Sequence, residues 1–109
     1  LDYATSSIAY WQGRGLPPEK TVLGVPFYSR PNEIPYRKLI QADPAAAQTD
    51  FFEYNDVRQN YNGIPTIQAK TRLALEKGSG VMFWTLEHDS TDDLSLLKAI
   101  YETIQSSNP

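Results

Sequence analysis

Two apolar runs stand out from an otherwise mixed chain, TVLGVPFY over 21–28 and GVMFWTL over 80–86. Each is almost continuous rather than alternating, each is short, and each gives way to polar residues. Such runs predict strands buried on both faces, as in a parallel sheet covered by helices. Helical spacing appears around them. Thr5, Ser6 and Ser7 offer caps to a short helix carrying Ile8, Ala9 and Trp11, which Gly13, Gly15, Pro17 and Pro18 stop. Pro65 opens a second helix with Ile67, Thr71, Ala74 and Leu75 on one face, and Gly78 closes it. A last helix, capped by Asp92 or Asp93, gathers Leu97, Ile100, Tyr101 and Ile104. From 31 to 62 the periodicity decays, apart from a short helical piece over 36–40, so this stretch reads as a long loop or small insertion.

The two runs also share a motif, Gly-Val-x-Phe-aromatic. Side chains alternate across a strand, so Gly24, Pro26 and Tyr28 fall on one face and Val25 and Phe27 on the other; Gly80, Met82 and Trp84 match the first face, Val81 and Phe83 the second. One face suits packing under helices. The other ends in a large aromatic at its C-terminal end, as in barrel strands whose ligand sits over that end, and the repeat predicts two neighbouring strands lifting aromatics to one shared floor. The fold class is therefore α/β, part of a (β/α)8 barrel. A complete barrel takes about 250 residues and each βα unit about 31, so a chain of 109 residues cannot close one. The chain reads as a single partial domain, 1–109, with 31–62 inserted after its first strand.

Composition narrows the partners. A net charge of −3 with dispersed Lys and Arg leaves no basic stripe for a phosphate backbone, which argues against nucleic acid. No apolar run approaches the roughly 20 residues of a membrane span, so no membrane partner is expected. The N-terminal LDYATSS has neither a basic nor an apolar segment of an export signal, so any such signal is expected to lie outside this chain. Cysteine is absent and the single His has no ligand-spaced companions, so no metal and no cofactor is expected.

RGLPPEKTVLGVPFYSR followed by YNGIPTIQAKTRLALEKGSGVMFWTLEHDS resembles the last quarter of a family 18 glycoside hydrolase, the chitinase family. The resemblance implies a C-terminal barrel fragment holding the seventh and eighth βα units, with one small departure: the family often has Gly where Ser29 stands. It also implies a secreted or cell-surface parent acting on β-1,4-linked N-acetylglucosamine polymers. The family's DxxDxDxE signature, whose Glu is the general acid, and its Tyr-Asp pair are not in this sequence. In the resembling enzymes that Glu protonates the glycosidic oxygen while the substrate's own acetamido carbonyl attacks the anomeric carbon, with retention. The catalytic residues are thus expected elsewhere, and this chain is expected to supply substrate binding.

Trp84 is the first candidate. Position alone leaves it equally a core residue or a platform for the flat C–H face of a sugar; the resemblance favours the platform. Tyr28 and Arg30 leave the other strand end; Tyr28 is placed to line the same pocket, and Arg30 to donate to sugar hydroxyls, to buttress a carboxylate, or to stand solvated or in a structural pair as a lone Arg past a strand more often does, with the resemblance tipping both towards function. Met82, one layer deeper, is expected to pack and touch the site. Glu87 sits at the mouth beside His88, and an acid-base reading of that pair is set aside because the family places its acid elsewhere. In the insertion, Phe51, Phe52, Tyr54 and Tyr61 either extend a cleft or anchor the loop, with anchoring favoured for most. Three functional outcomes stay open: part of a secreted hydrolase, a non-catalytic chitinase-like binding protein, or a piece that self-associates through open strand edges.

Overall fold

The computed structural model describes residues 2–78 and 80–107; the ends of the 1–109 unit, Leu1, Asn108 and Pro109, and Ser79 lie outside the described residues. In chain order the elements are α1 (Asp2–Gly13), β1 (Val22–Pro26), α2 (Tyr36–Ala42), β2 (Phe51–Tyr54), β3 (Val57–Asn60), α3 (Ile64–Lys77), β4 (Gly80–Trp84) and α4 (Leu96–Ser107). The two motif-bearing runs pair as parallel neighbours, β1 beside β4. A second, antiparallel pair, β2 with β3, forms a hairpin whose tip, Asn55 and Asp56, takes positive φ.

The face assignment made from alternation holds. Val25 and Phe27 are 1% exposed, Phe27 stacks on Phe83 with centroids 4.8 Å apart, and Leu23 and Val81 join them against the helices. Ile67, Thr71 and Ala74 of α3 and Leu96, Ala99 and Ile100 of α4 complete this side. The opposite face of β1 and β4, carrying Val22, Gly24 and Met82, is open.

The shared floor is modified. The register sets Gly24 opposite Met82 and Pro26 opposite Trp84, so the second motif is displaced by two residues relative to the first. A shift of two keeps every side chain on its face while staggering heights, as barrel shear requires. Tyr28 therefore stands beyond Trp84 along the strand direction by two residues, or about 6.6 Å.

Several boundaries differ from the sequence expectation. The first helix begins before Thr5, Ser6 and Ser7, which are interior to it rather than its caps. Leu75 and Tyr101 are 40% and 60% exposed and leave the buried faces of their helices. The last helix is not capped by Asp92 or Asp93. Asp89, seven residues upstream of Leu96, accepts from the N–H groups of Leu96 and Leu97 at 2.7 and 2.9 Å and from Ser95 Oγ at 2.8 Å, while Asp92 accepts from Leu94 N–H in the preceding turn. Gly78 does close α3, although its φ of −142° is open to any residue; a Cβ there would lie 2.6 Å from the Thr21 carbonyl oxygen.

The 31–62 stretch is ordered throughout. Tyr36, Leu39 and Ile40 of α2 are buried, Ala46 and Ala47 follow them into the core, and Tyr61 donates its hydroxyl to the Ala46 carbonyl at 2.7 Å. Asn60 exchanges two 2.8 Å backbone hydrogen bonds with Arg30, which fastens the hairpin to the chain leaving β1.

Candidate functional site

At the C-terminal ends of β1 and β4 the backbone ladder continues one step, with Phe27 N–H donating to the Trp84 carbonyl at 2.8 Å. Just beyond it, Trp84 Nε1–H donates to Tyr28 Oη at 3.0 Å, and the rings meet edge to face with centroids 6.3 Å apart. The stagger makes this possible: Tyr28 is high enough to lean over the indole instead of lying beside it. The peptide bonds Trp84–Thr85 and Arg30–Pro31 are both cis.

Space beneath the indole comes from Gly24. A Cβ at that position would lie 3.0 Å from Trp84 Cζ3 and 3.4 Å from Met82 Cε, so the ring settles where any other residue would push it. Met82 is 51% exposed on the open face, one step below Trp84.

Arg30 passes over the Tyr28 ring at 5.8 Å and lies 3.9 Å from Glu33, with both charged side chains largely in solvent. His88 meets Tyr28 edge to face at 5.9 Å, and its buried Nδ1 has no hydrogen-bond partner among the described residues. Glu87 is exposed on the single turn Leu86–His88, and its backbone carbonyl accepts from Arg37 Nε at 2.9 Å. Trp84, Tyr28, Arg30 and Met82 are thus brought together, whereas Glu87 is exposed on the turn that follows β4.

Sequence reasoning missed the support behind this group. Ser29, between Tyr28 and Arg30, is 0% exposed and donates its hydroxyl to Gln59 Oε1 at 2.7 Å; Gln59 is 1% exposed. Its signal was faint: a polar residue at the single buried position of VRQN. Phe52 and Tyr54 pack against the core and Tyr61 is buried in it, whereas Phe51 is half exposed beneath the Arg58 guanidinium at 4.2 Å.

A cavity of about 500 Å³ opens between α1 and β1, lined by Ile8, Trp11, Leu16, Gly24 and Lys70. Burial lowers the Lys70 pKa, partly countered by Asp50, and its ammonium donates to Asn62 Oδ1 at 2.7 Å. Among the described residues no group of three or more His, Cys, Asp or Glu is placed to hold a metal ion, and no helix is long and apolar enough to cross a membrane.

No family model and no curated protein matches the sequence. Solved structures do. The GH18 chitinase ChiB from the chitin utilization locus of Flavobacterium johnsoniae is 32% identical, with a TM-score of 0.85 over 98% of this chain and 35% of its own. The chain is similar to family 18 chitinases. A second chitinase, from Bacteroides thetaiotaomicron, is 26% identical with a TM-score of 0.77, over 99% of this chitinase-like chain and 40% of the solved one. Human YKL-39, a pseudo-chitinase with retained chitooligosaccharide binding, shares the fold at 15% identity and a TM-score of 0.69. The chitinase-like chain thus spans about a third to two fifths of the length of these structures.

Proposed function

We propose that the chain is the C-terminal part, the seventh and eighth βα units, of a family 18 glycoside hydrolase that cleaves β-1,4-linked N-acetylglucosamine polymers outside the cell or at its surface. In this reading the general acid lies in another part of the protein, and the present residues bind and orient the substrate. The observation that carries it is the Trp84–Tyr28 pair, two aromatics hydrogen-bonded at the C-terminal ends of adjacent parallel strands.

Each residue then has a physical task. The indole of Trp84 offers a flat apolar face to a pyranose ring. Tyr28 accepts the indole N–H, which fixes the angle between the two rings and leaves its own O–H to donate to a sugar oxygen. Arg30 brings donors to the rim of the cleft, Met82 supplies a polarizable apolar contact below the floor, and Glu87 accepts from sugar hydroxyls at the mouth. With the substrate's acetamido oxygen as nucleophile, this portion needs no nucleophile of its own; it holds the reacting sugar in a distorted shape in which that oxygen reaches the anomeric carbon.

A non-catalytic chitin-binding protein would use the same residues, and the shared fold of the pseudo-chitinase YKL-39 supports that alternative. The full-length protein, incubated with a fluorogenic N-acetylglucosamine oligomer, decides. Turnover supports the hydrolase, tight binding without turnover supports the alternative, and neither binding nor turnover overturns both.

A further inference from the structure

Arg30 is weakly tethered through its own side chain: its ion partner Glu33 is 3.9 Å away, and both are more than half in water. Exposed pairs of that kind do not fix a geometry. Glu33 itself sits at a φ of +54° in the same loop. The guanidinium also lies 5.8 Å from the centroid of the Tyr28 ring; Tyr28 and Arg30 flank Ser29, so the backbone of 29–34 sets the frame from which both reach, and that backbone is held from beneath. Ser29 N–H donates to the Ile34 carbonyl at 2.9 Å, Ile34 N–H donates to Ser29 Oγ at 2.9 Å, and Ser29 Oγ donates to Gln59 Oε1 at 2.7 Å. Gln59 Oε1 also accepts from Asn32 N–H at 3.2 Å. Ser29 and Gln59 are both essentially inaccessible to water, so these bonds have no solvent replacement if broken.

We propose that the buried Ser29–Gln59 pair is a positioning device that fixes where Arg30 stands relative to the Trp84 floor, and so tunes saccharide affinity. This rests on the reading of the site as a sugar-binding cleft. Glycine at position 29 would close the strand end without reaching Gln59. With Ser29 the loop is welded to β3, and the ladder between Arg30 and Asn60 is held on both sides of its bridge. Neither residue touches substrate; the pair acts through Arg30.

The test uses the full-length protein and a chito-oligosaccharide, with binding measured well below the melting temperature. Ser29→Ala removes one oxygen, and Gln59→Leu removes its partner. The expected result is a roughly tenfold weaker Kd for each, short of the roughly hundredfold that a misplacement of about 1 Å can cost, with kcat changed less. The Ser29→Ala loss should nearly vanish in an Arg30→Ala background, because a device acting through Arg30 has nothing left to position. A lowered melting temperature with unchanged Kd would overturn the proposal, and so would an equal loss of affinity in both backgrounds. Should Gln59→Leu fail to fold, Ser29→Ala carries the same comparison alone. Trp84→Ala in the same assay separates the two levels. If it weakens binding while Ser29→Ala does not, the positioning role falls and the cleft stands; if Trp84→Ala leaves binding intact, the cleft falls and takes the positioning role with it.

Discussion

Trp84 carries its hydrogen-bond partner with it, since its indole donates to Tyr28 Oη and the two rings meet edge to face. In the full-length protein, replacing it with Ala is expected to lower kcat/KM about tenfold to a hundredfold, taking stacking at about 1–3 kcal/mol and 1.4 kcal/mol per factor of ten. The melting temperature should move less than for a fully enclosed ring, because Trp84 is not fully buried; a core Trp would instead cost about 3–5 kcal/mol of stability and leave activity intact in what remains folded. Trp11→Ala, on a side chain 54% exposed on α1, controls for generic loss of Trp. Gly24→Ala is the complementary change. Its methyl would meet the indole at 3.0 Å, so substrate affinity should fall several-fold while unfolding stays cooperative, as a titration with thermal melts would show. At this scale the face shared by Gly24, Met82 and Trp84 was legible because alternation along a strand needs only the sequence, whereas a binding role for Trp84 came from the resemblance and not from its position. Ser29 and Gln59 were not legible, because a hydrogen bond across thirty positions leaves no local trace.

Two helices, α3 and α4, start where carboxylates from outside them meet their first turns. Asp50 accepts from Gly63 N–H at 3.0 Å and from Thr66 Oγ1 at 2.6 Å at the head of α3, as Asp89 does for α4. A negative charge there satisfies orphan N–H groups and opposes the helix dipole. Asp89→Ala is expected to cost about 2 kcal/mol, at the upper end for a lost cap, and the check is denaturant midpoint at unchanged m. The start of α4 is capped twice: Ser95, directly before it, accepts from Lys98 N–H at 3.1 Å and was within reach of a sequence rule, whereas the reinforcing carboxylate of Asp89 is seven positions before Leu96, across a turn that Asp92 shapes. The insertion was harder still. Its buried anchors, Tyr36, Leu39 and Ala47, are spread over short elements with no common period. Tyr36 also predicts a pH response. Burial, then the charge of Asp89, pushes its phenol well above the usual value, and its hydroxyl donates to the Leu94 carbonyl at 2.7 Å. The folded state keeps this proton to higher pH than the unfolded chain, so the contribution is complete below about pH 10 and is lost progressively above it. Alkaline melts of Tyr36→Phe should lack that part of the decline.

As a whole molecule the chain is lopsided: one face of β1 and β4 is packed under helices and the other shows Val22 and Met82 to water at 56% and 51%. Its radius of gyration, 14.3 Å, exceeds the roughly 13 Å of a compact domain of this length. Expressed alone, the 109 residues are expected to self-associate, read as a concentration-dependent mass in light scattering; a sharp monomer peak with cooperative unfolding would refute this. The same preparation should hydrolyse no fluorogenic N-acetylglucosamine oligomer, and turnover that survives Trp84→Ala would contradict the assignment of the chemistry elsewhere. The parallel neighbours and their packed side were foreseeable from two apolar runs, whereas the two-residue stagger between them was not, because a motif records order and not height. That offset is a ruler for anyone rebuilding the mouth of this sheet. Lining the strands up by their shared letters would place Tyr28 level with Trp84 and graft a new aromatic one storey too high. A third ring meant to extend the platform from β1 belongs at Pro26, the rung opposite Trp84, and a ring meant to overhang it belongs at Tyr28.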